Sequence, residues 1–304
     1  MTCATRWRSR SALLVAAAAI CSAGAAPVPP AQAGSPAGGG TKMGTVRLHQ
    51  SRPVFDRRVL VAYYGTAGTS SLGVLGEAPP DQITPRLRQA AKPYGQTGRR
   101  VRIVYELIVT IADADPGSDG SYSHDIAQSS VKKYVRAARR NRALLILDLQ
   151  PGRSTFPTVA KRFAWALRKP HVGLALDPEW RMGPGEVPGQ TVGSVAAREV
   201  NKTSGWLAGL ARRRDQPQKV LIVHQFRTDM VRHIGRIKDR TGLAQVQHVD
   251  GFGSQSQKLA TYHNVERHKQ FHMGFKLFYD EDSDLFRPRE VLRLRPRVEY
   301  VSYQ

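Results

Sequence analysis

The chain has 304 residues, of which 41% are hydrophobic and 23% charged, and its formal net charge is +22. This length and apolar fraction suit one large domain or two small ones with a sizeable core, and exclude a disordered polyelectrolyte. Beyond the start of the chain, no apolar run approaches the ~20 residues a membrane-crossing helix needs.

Residues 1–33 read as a signal peptide. Arg6, Arg8 and Arg10 form a positive start, 12–20 is apolar, and Ala31-Gln32-Ala33 offers an A-x-A cleavage site; a cut after Ala25 is the alternative. Two other fates stay open. One is retention as a membrane anchor, against which the shortness of the run counts. The other is lipidation at Cys21, against which Ala18-Ala19-Ile20 counts, because a small residue is wanted just before the cysteine. Cys3 and Cys21 are the only cysteines. A mature protein therefore has no disulfide, no thiol nucleophile and no Cys-ligated zinc. The expected location is secreted or cell-surface, with no transmembrane segment after cleavage.

Removing the three leader arginines leaves the chain strongly basic, and such a field favours polyanions. For an exported protein the expected partner is a polysaccharide or an anionic cell-wall polymer, or lipid headgroups, not nucleic acid. The basic clusters at Arg99-Arg100, Lys132-Lys133, Arg139-Arg140 and Arg212-Arg213-Arg214 carry no aromatic-studded nucleic-acid motif, and they read equally as solvated faces. Residues 34–50 are Gly-, Ser-, Pro- and Thr-rich and read as a flexible tether. The folded domain is expected over 51–304.

Within that domain eight short β-branched and aromatic runs follow one another at 59–64, 101–109, 143–148, 172–177, 219–224, 244–250, 273–279 and 298–303. The segments between them carry helical spacing at 123–140, 156–167, 192–210, 228–237 and 257–268, with shorter helices at 84–94 and 287–294. Near-continuous apolar strands alternating with helices mean a parallel sheet covered by helices. Eight strands favour a single closed (β/α)8 barrel of TIM type; an open doubly wound parallel sheet is the alternative.

Chemistry gathers where the runs end. The first ends in Tyr63-Tyr64-Gly65 and the second contains Glu106. The third ends in Asp148 and Gln150, and the fourth in Asp177-Pro178-Glu179-Trp180. The fifth ends in His224-Gln225, the sixth in His248 and Asp250, and the seventh in Tyr279-Asp280. In a closed barrel these ends converge on one face, where barrel enzymes hold their sites. Strand alternation points Asp177 and Glu179 the same way, likewise Asp148 with Gln150 and His248 with Asp250. The bland reading is that Asp148 and Asp250 terminate turns or cap helices, and that Tyr63, Tyr64, Trp180, Phe252 and Tyr279 are ordinary packing. The sharper reading is sugar hydrolysis, which needs one protonated carboxyl and one negative group; clustered acids split their pKa values into those roles. The aromatic rings would then serve as platforms for sugar rings.

An Asp-x-Glu closing the fourth strand resembles the arrangement in chitinase-like and lysozyme-like glycoside hydrolase barrels. The resemblance implies that Glu179 is the general acid and that Asp177 orients a substrate acetamido group. The fuller chitinase pattern has aspartates further upstream on that strand, where this chain has Gly173 and Ala175. The strings VAYYG at 61–65, LDLQPG at 147–152, LDPEWRMGP at 176–184, HQF at 224–226 and FYDED at 278–282 are similar to those of an actinobacterial family of exported proteins and lipoproteins. That similarity implies export and a glycoside-hydrolase-like TIM barrel, and no particular substrate.

The leading expectation is an exported glycoside hydrolase acting on a cell-envelope or extracellular polysaccharide. Glu179 and Asp177 are its candidate catalytic pair, and Asp148, Glu106 and Asp250 are candidates for the second carboxylate. Tyr63, Tyr64, Gln150, Trp180, His224, Gln225, His248, Tyr279 and Asp280 are expected to bind substrate, with no cofactor and no metal. The alternative is a non-catalytic barrel that binds a glycan or anionic polymer. A metal-dependent hydrolase using His224, His248, Asp148 and Asp250 is the third reading, which no H-x-H or H-E-x-x-H spacing supports.

Overall fold

In the computed structural model residues 53–304 are described, with Gln96 and Thr97 described in backbone only. The signal peptide expected over 1–33, the tether over 34–50 and Cys21 lie outside the described residues. Eight parallel strands form the centre: β1 (Arg58–Gly65), β2 (Arg100–Ala112), β3 (Leu144–Leu149), β4 (Val172–Leu176), β5 (Lys219–His224), β6 (Leu243–Val249), β7 (His272–Leu277) and β8 (Val298–Tyr303). Each pairs with its neighbour in sequence. The sheet closes because β1 pairs with β2 on one side (Arg58↔Arg100 to Gly65↔Leu107) and with β8 on the other (Leu60↔Tyr300 to Tyr63↔Tyr303). Closure excludes the open doubly wound sheet.

The bodies of the strands are largely apolar because both their faces are buried. Inward-pointing Leu60, Ala62, Val104, Ile146, Ile222 and Val246 pack with Tyr300 inside the barrel. Val59, Val61, Leu145, Leu147, Leu174 and Leu221 face the surrounding helices. Val54 and Phe55 join the interior cluster and seal the end where the strands begin.

The helices are α1 (Pro80–Ala91), α2 (Gln128–Arg140), α3 (Phe156–Arg162), α4 (Ala164–Leu167), α5 (Ala197–Arg212), α6 (Gln255–Val265) and α7 (Pro288–Arg293). Three segments depart from the expected periodicity. Ser123–Asp125 is a short strand antiparallel to the end of β2, so the helix expected from 123 starts at Gln128. The helix expected over 156–167 is interrupted at Phe163. No α-helix forms over 228–237: two single 3-10 turns, Thr228–Met230 and Ile234–Arg236, flank a two-residue strand. His233 there takes a left-handed φ of 58° and Gly235 follows, so the apolar spacing is cut before one α-turn can propagate.

Candidate functional site at the barrel mouth

The inward positions at the carboxyl ends of the strands are polar, and their side chains meet. His224, at the end of β5, lies at the centre of the cluster. Its Nδ1–H donates to Asp250 Oδ2 at 2.9 Å and its Nε2–H to Glu106 Oε1 at 3.1 Å. Both ring nitrogens therefore face carboxylates, which calls for an imidazolium. Burial opposes that charge, and the hydrogen bonds to Asp250 and Glu106 override burial, raising the His224 pKa well above its usual value. Burial likewise opposes ionisation of Asp250, and the bond to His224 outweighs it, holding Asp250 below the ordinary carboxylate range. Glu106 also accepts from the Tyr300 hydroxyl at 2.9 Å.

A second group surrounds Asp148. The Tyr64 hydroxyl donates to Asp148 Oδ2 at 2.8 Å, and Gln150 Nε2 donates to that hydroxyl at 3.5 Å. Asp148 Oδ1 has no hydrogen-bond partner and lies 4.0 Å from His224 Nε2. Burial raises its pKa. Lys276 Nζ sits 3.5 Å above the Tyr64 ring, a cation–π contact that steadies a buried ammonium. His248 is the uncharged counterpart of His224. Burial first, and then the neighbouring imidazolium, push its pKa well down; its Nε2 pairs with Ser302 Oγ at 2.7 Å. Its other nitrogen is accommodated by Gly274, where a Cβ would overlap His248 Nδ1.

The expected pair closes this cluster toward solvent. β4 ends at Leu176, so strict strand alternation does not continue to Glu179. Asp177 instead caps a single 3-10 turn, Pro178–Trp180, accepting from Glu179 N at 3.3 Å. Burial raises Asp177 well above the carboxylate range. Among Glu106, Asp148, Asp177, Glu179 and Asp250, Glu179 alone is half-buried; the others are buried. Burial and then the negative charge of Asp250 push Glu179 up to about 7. Gly173, where the chitinase pattern has an aspartate, has no room for one: a Cβ there would lie 2.6 Å from the Val220 carbonyl oxygen and 2.7 Å from Ile146 Cδ1.

Several expected binding residues lie elsewhere. Tyr63 alternates to the outer face of β1, buried edge-on against Tyr303, and is not at the mouth. Gln225 is buried and turned away from the mouth: it donates to the Arg227 carbonyl at 2.9 Å and accepts from Gln247 at 2.7 Å. Tyr279 is exposed but stacks on Tyr303, with ring centroids 5.2 Å apart, in the same outer group as Tyr63. Asp280 is exposed and outside the buried cluster; Asp282, in the same loop, is structural, paired with Lys258 at 3.0 Å. Trp180 is half-buried on the 3-10 turn. Neither Asp148 nor Asp250 caps a helix.

Lys276, Tyr300 and Ser302 belong to the cluster without having been anticipated. A lysine between Phe275 and Leu277 in an apolar strand was the available signal, because a buried cation needs a partner. Among the described residues no group of three or more His, Asp or Glu is disposed to hold a metal ion.

No protein-family model matches the chain, and no curated protein matches it. Among solved structures, the Clostridial cellulose synthase subunit Z from Clostridioides difficile is similar over 81% of this chain and 91% of that one, at 11% identity and a TM-score of 0.41. So distant a likeness carries no argument about function.

Proposed function

We propose that this chain is an exported glycoside hydrolase acting on a polysaccharide, with Glu179 as general acid. One observation carries the reading: a single half-buried carboxyl stands over a buried acid cluster at the mouth of the barrel, beside Asp250. A carboxyl near neutrality can give a proton to a leaving glycosidic oxygen and take it back from water. The ionised Asp250 supplies the negative charge an oxocarbenium-like transition state requires. Asp177 holds the turn that presents Glu179. Both oxygens of Glu106 are taken, by His224 and Tyr300, and burial raises Asp148, whereas Asp250 is held ionised and keeps Oδ1 without a hydrogen-bond partner; Glu106 and Asp148 therefore support the site. The signal-peptide pattern over 1–33 supports an activity outside the cytoplasm.

The test is reducing-end release from a panel of neutral, amino-sugar and acidic polysaccharides by the wild type and Glu179→Gln. A general acid contributes roughly 10²–10⁴-fold, so the variant is expected to lose at least about a hundred-fold in kcat while still binding the substrate. Binding without turnover in the wild type across the panel refutes the enzyme and leaves a glycan-binding barrel.

A further inference from the structure

The two ends of the barrel carry opposite charge. Six segments follow strands at the mouth: 66–79, 113–127, 150–155, 177–196, 250–254 and 278–287. Together they hold 13 Asp or Glu and 3 Lys or Arg. Seven segments lead into strands at the other end: 53–57, 92–99, 141–143, 168–171, 213–218, 266–271 and 294–297. These hold 12 Lys or Arg and 3 Asp or Glu. The connection 225–242, which no α-helix divides, is left out of both sets.

The basic end is exposed. Of its twelve cations only Arg99 is half-buried, and among the described residues only Arg99 and Arg297 pair with a carboxylate, both with Glu299. The barrel is sealed there by Val54 and Phe55, and this end presents a broad face of guanidinium and ammonium groups, indented between His268, Arg295, Arg297 and Glu299. Exposed guanidinium groups match phosphate oxygens, and unpaired cations at an anionic bilayer are each favourable by an amount that falls off within a Debye length. The chain also enters the barrel at this end, at Pro53.

We infer that the basic end docks on an anionic phospholipid surface, holding the acidic mouth away from the membrane. This docking does not depend on the catalytic reading. The like charge of lipid and mouth favours the same orientation.

The experiment is sedimentation of the full chain with vesicles of phosphatidylcholine alone or with about one-quarter phosphatidylglycerol, at low and at physiological salt. The wild type should bind the anionic vesicles in excess over the neutral ones. Arg168→Glu, Lys169→Glu, Arg213→Glu and Arg214→Glu, combined, should weaken the anionic component by at least about a hundred-fold, since each cation near such a surface is worth about five-fold. All four are exposed, and circular dichroism checks that the fold is kept. Asp115→Lys with Asp284→Lys raises net charge at the mouth and should not strengthen binding. Equal gains from the mouth substitutions would show that net charge, not one face, does the binding, and would overturn the inference. So would tight binding of a soluble polyphosphate with no preference for anionic vesicles, which would identify a polymer site.

Discussion

Replacing His224 with leucine removes the cation on which the mouth is built. The ring bridges Asp250 at 2.9 Å and Glu106 at 3.1 Å, and its side chain is fully buried, as is that of Glu106. Leucine fills part of the space but leaves both carboxylates facing an apolar group. Breaking a buried ion pair by removing one partner costs about 3–5 kcal/mol, and here one cation serves two acids, so the upper part of that range is expected. The deficit should depend on pH in a defined direction. In the wild type Asp250 is held low, so its contribution is present above its unfolded pKa and lost as pH falls through the folded one. His224 is held high, so its contribution is complete below its unfolded pKa and lost only as pH rises through the folded value. In the variant, Asp250 keeps the burial that opposes its ionisation and loses the cation that outweighed it, so its folded pKa rises above the unfolded one. It then takes up a proton on folding, which stabilises the variant as pH falls, by up to about 1.4 kcal/mol per pH unit. The difference between wild type and variant should therefore be largest near neutrality and shrink toward about pH 4. Urea unfolding followed by tryptophan fluorescence across that range measures it. A deficit under about 1 kcal/mol at neutral pH, or one that grows on acidification, would refute the charge assignment.

Three further outcomes are expected. With Glu179 pushed up to about 7 and needed in its protonated form, kcat should fall as pH rises through about 7; a flat profile to about pH 9 argues against its acid role. Gly274→Ala places a Cβ against His248 Nδ1 and 3.1 Å from Val246 Cγ1, an overpacking that should cost about 1–3 kcal/mol in chemical denaturation. Lys258→Met leaves the Asp282 carboxylate buried without the ammonium now 3.0 Å away, and thermal unfolding should report a loss of about 3–5 kcal/mol.

The barrel was legible because strands buried on both faces show as unbroken apolar runs, and eight of them alternate with amphipathic stretches. The mouth was legible in outline, since Asp148, Asp177, His224, His248 and Asp250 end their strands. What strand ends do not reveal is which way neighbouring side chains turn. Tyr63 and Tyr64 are adjacent, yet one packs outside the barrel and the other binds Asp148. Gln225 follows His224 and alternates away from it. Lys276 and Ser302 lay within runs read as purely structural. They point inward by alternation from Gly274 and Tyr300, beyond a shift of register in which Met273 pairs with Val298 but Gly274 with Tyr300, and such an irregularity has no sequence signature of its own. The segment 228–237 misled for a different reason: apolar spacing alone does not specify a helix through a left-handed residue and a glycine.

The buried contacts of the mouth join parts of the chain that are remote in sequence: Tyr64 to Asp148 over 84 residues, His224 to Glu106 over 118, and Tyr300 to Glu106 over 194. The last of these bonds cannot form before β8 has joined the sheet, and neither Glu106 nor Asp250 meets the imidazolium they share before β5 has. Settling the proton inventory of the mouth is therefore tied to assembly of the sheet, which couples its strands through side chains as well as through backbone pairing.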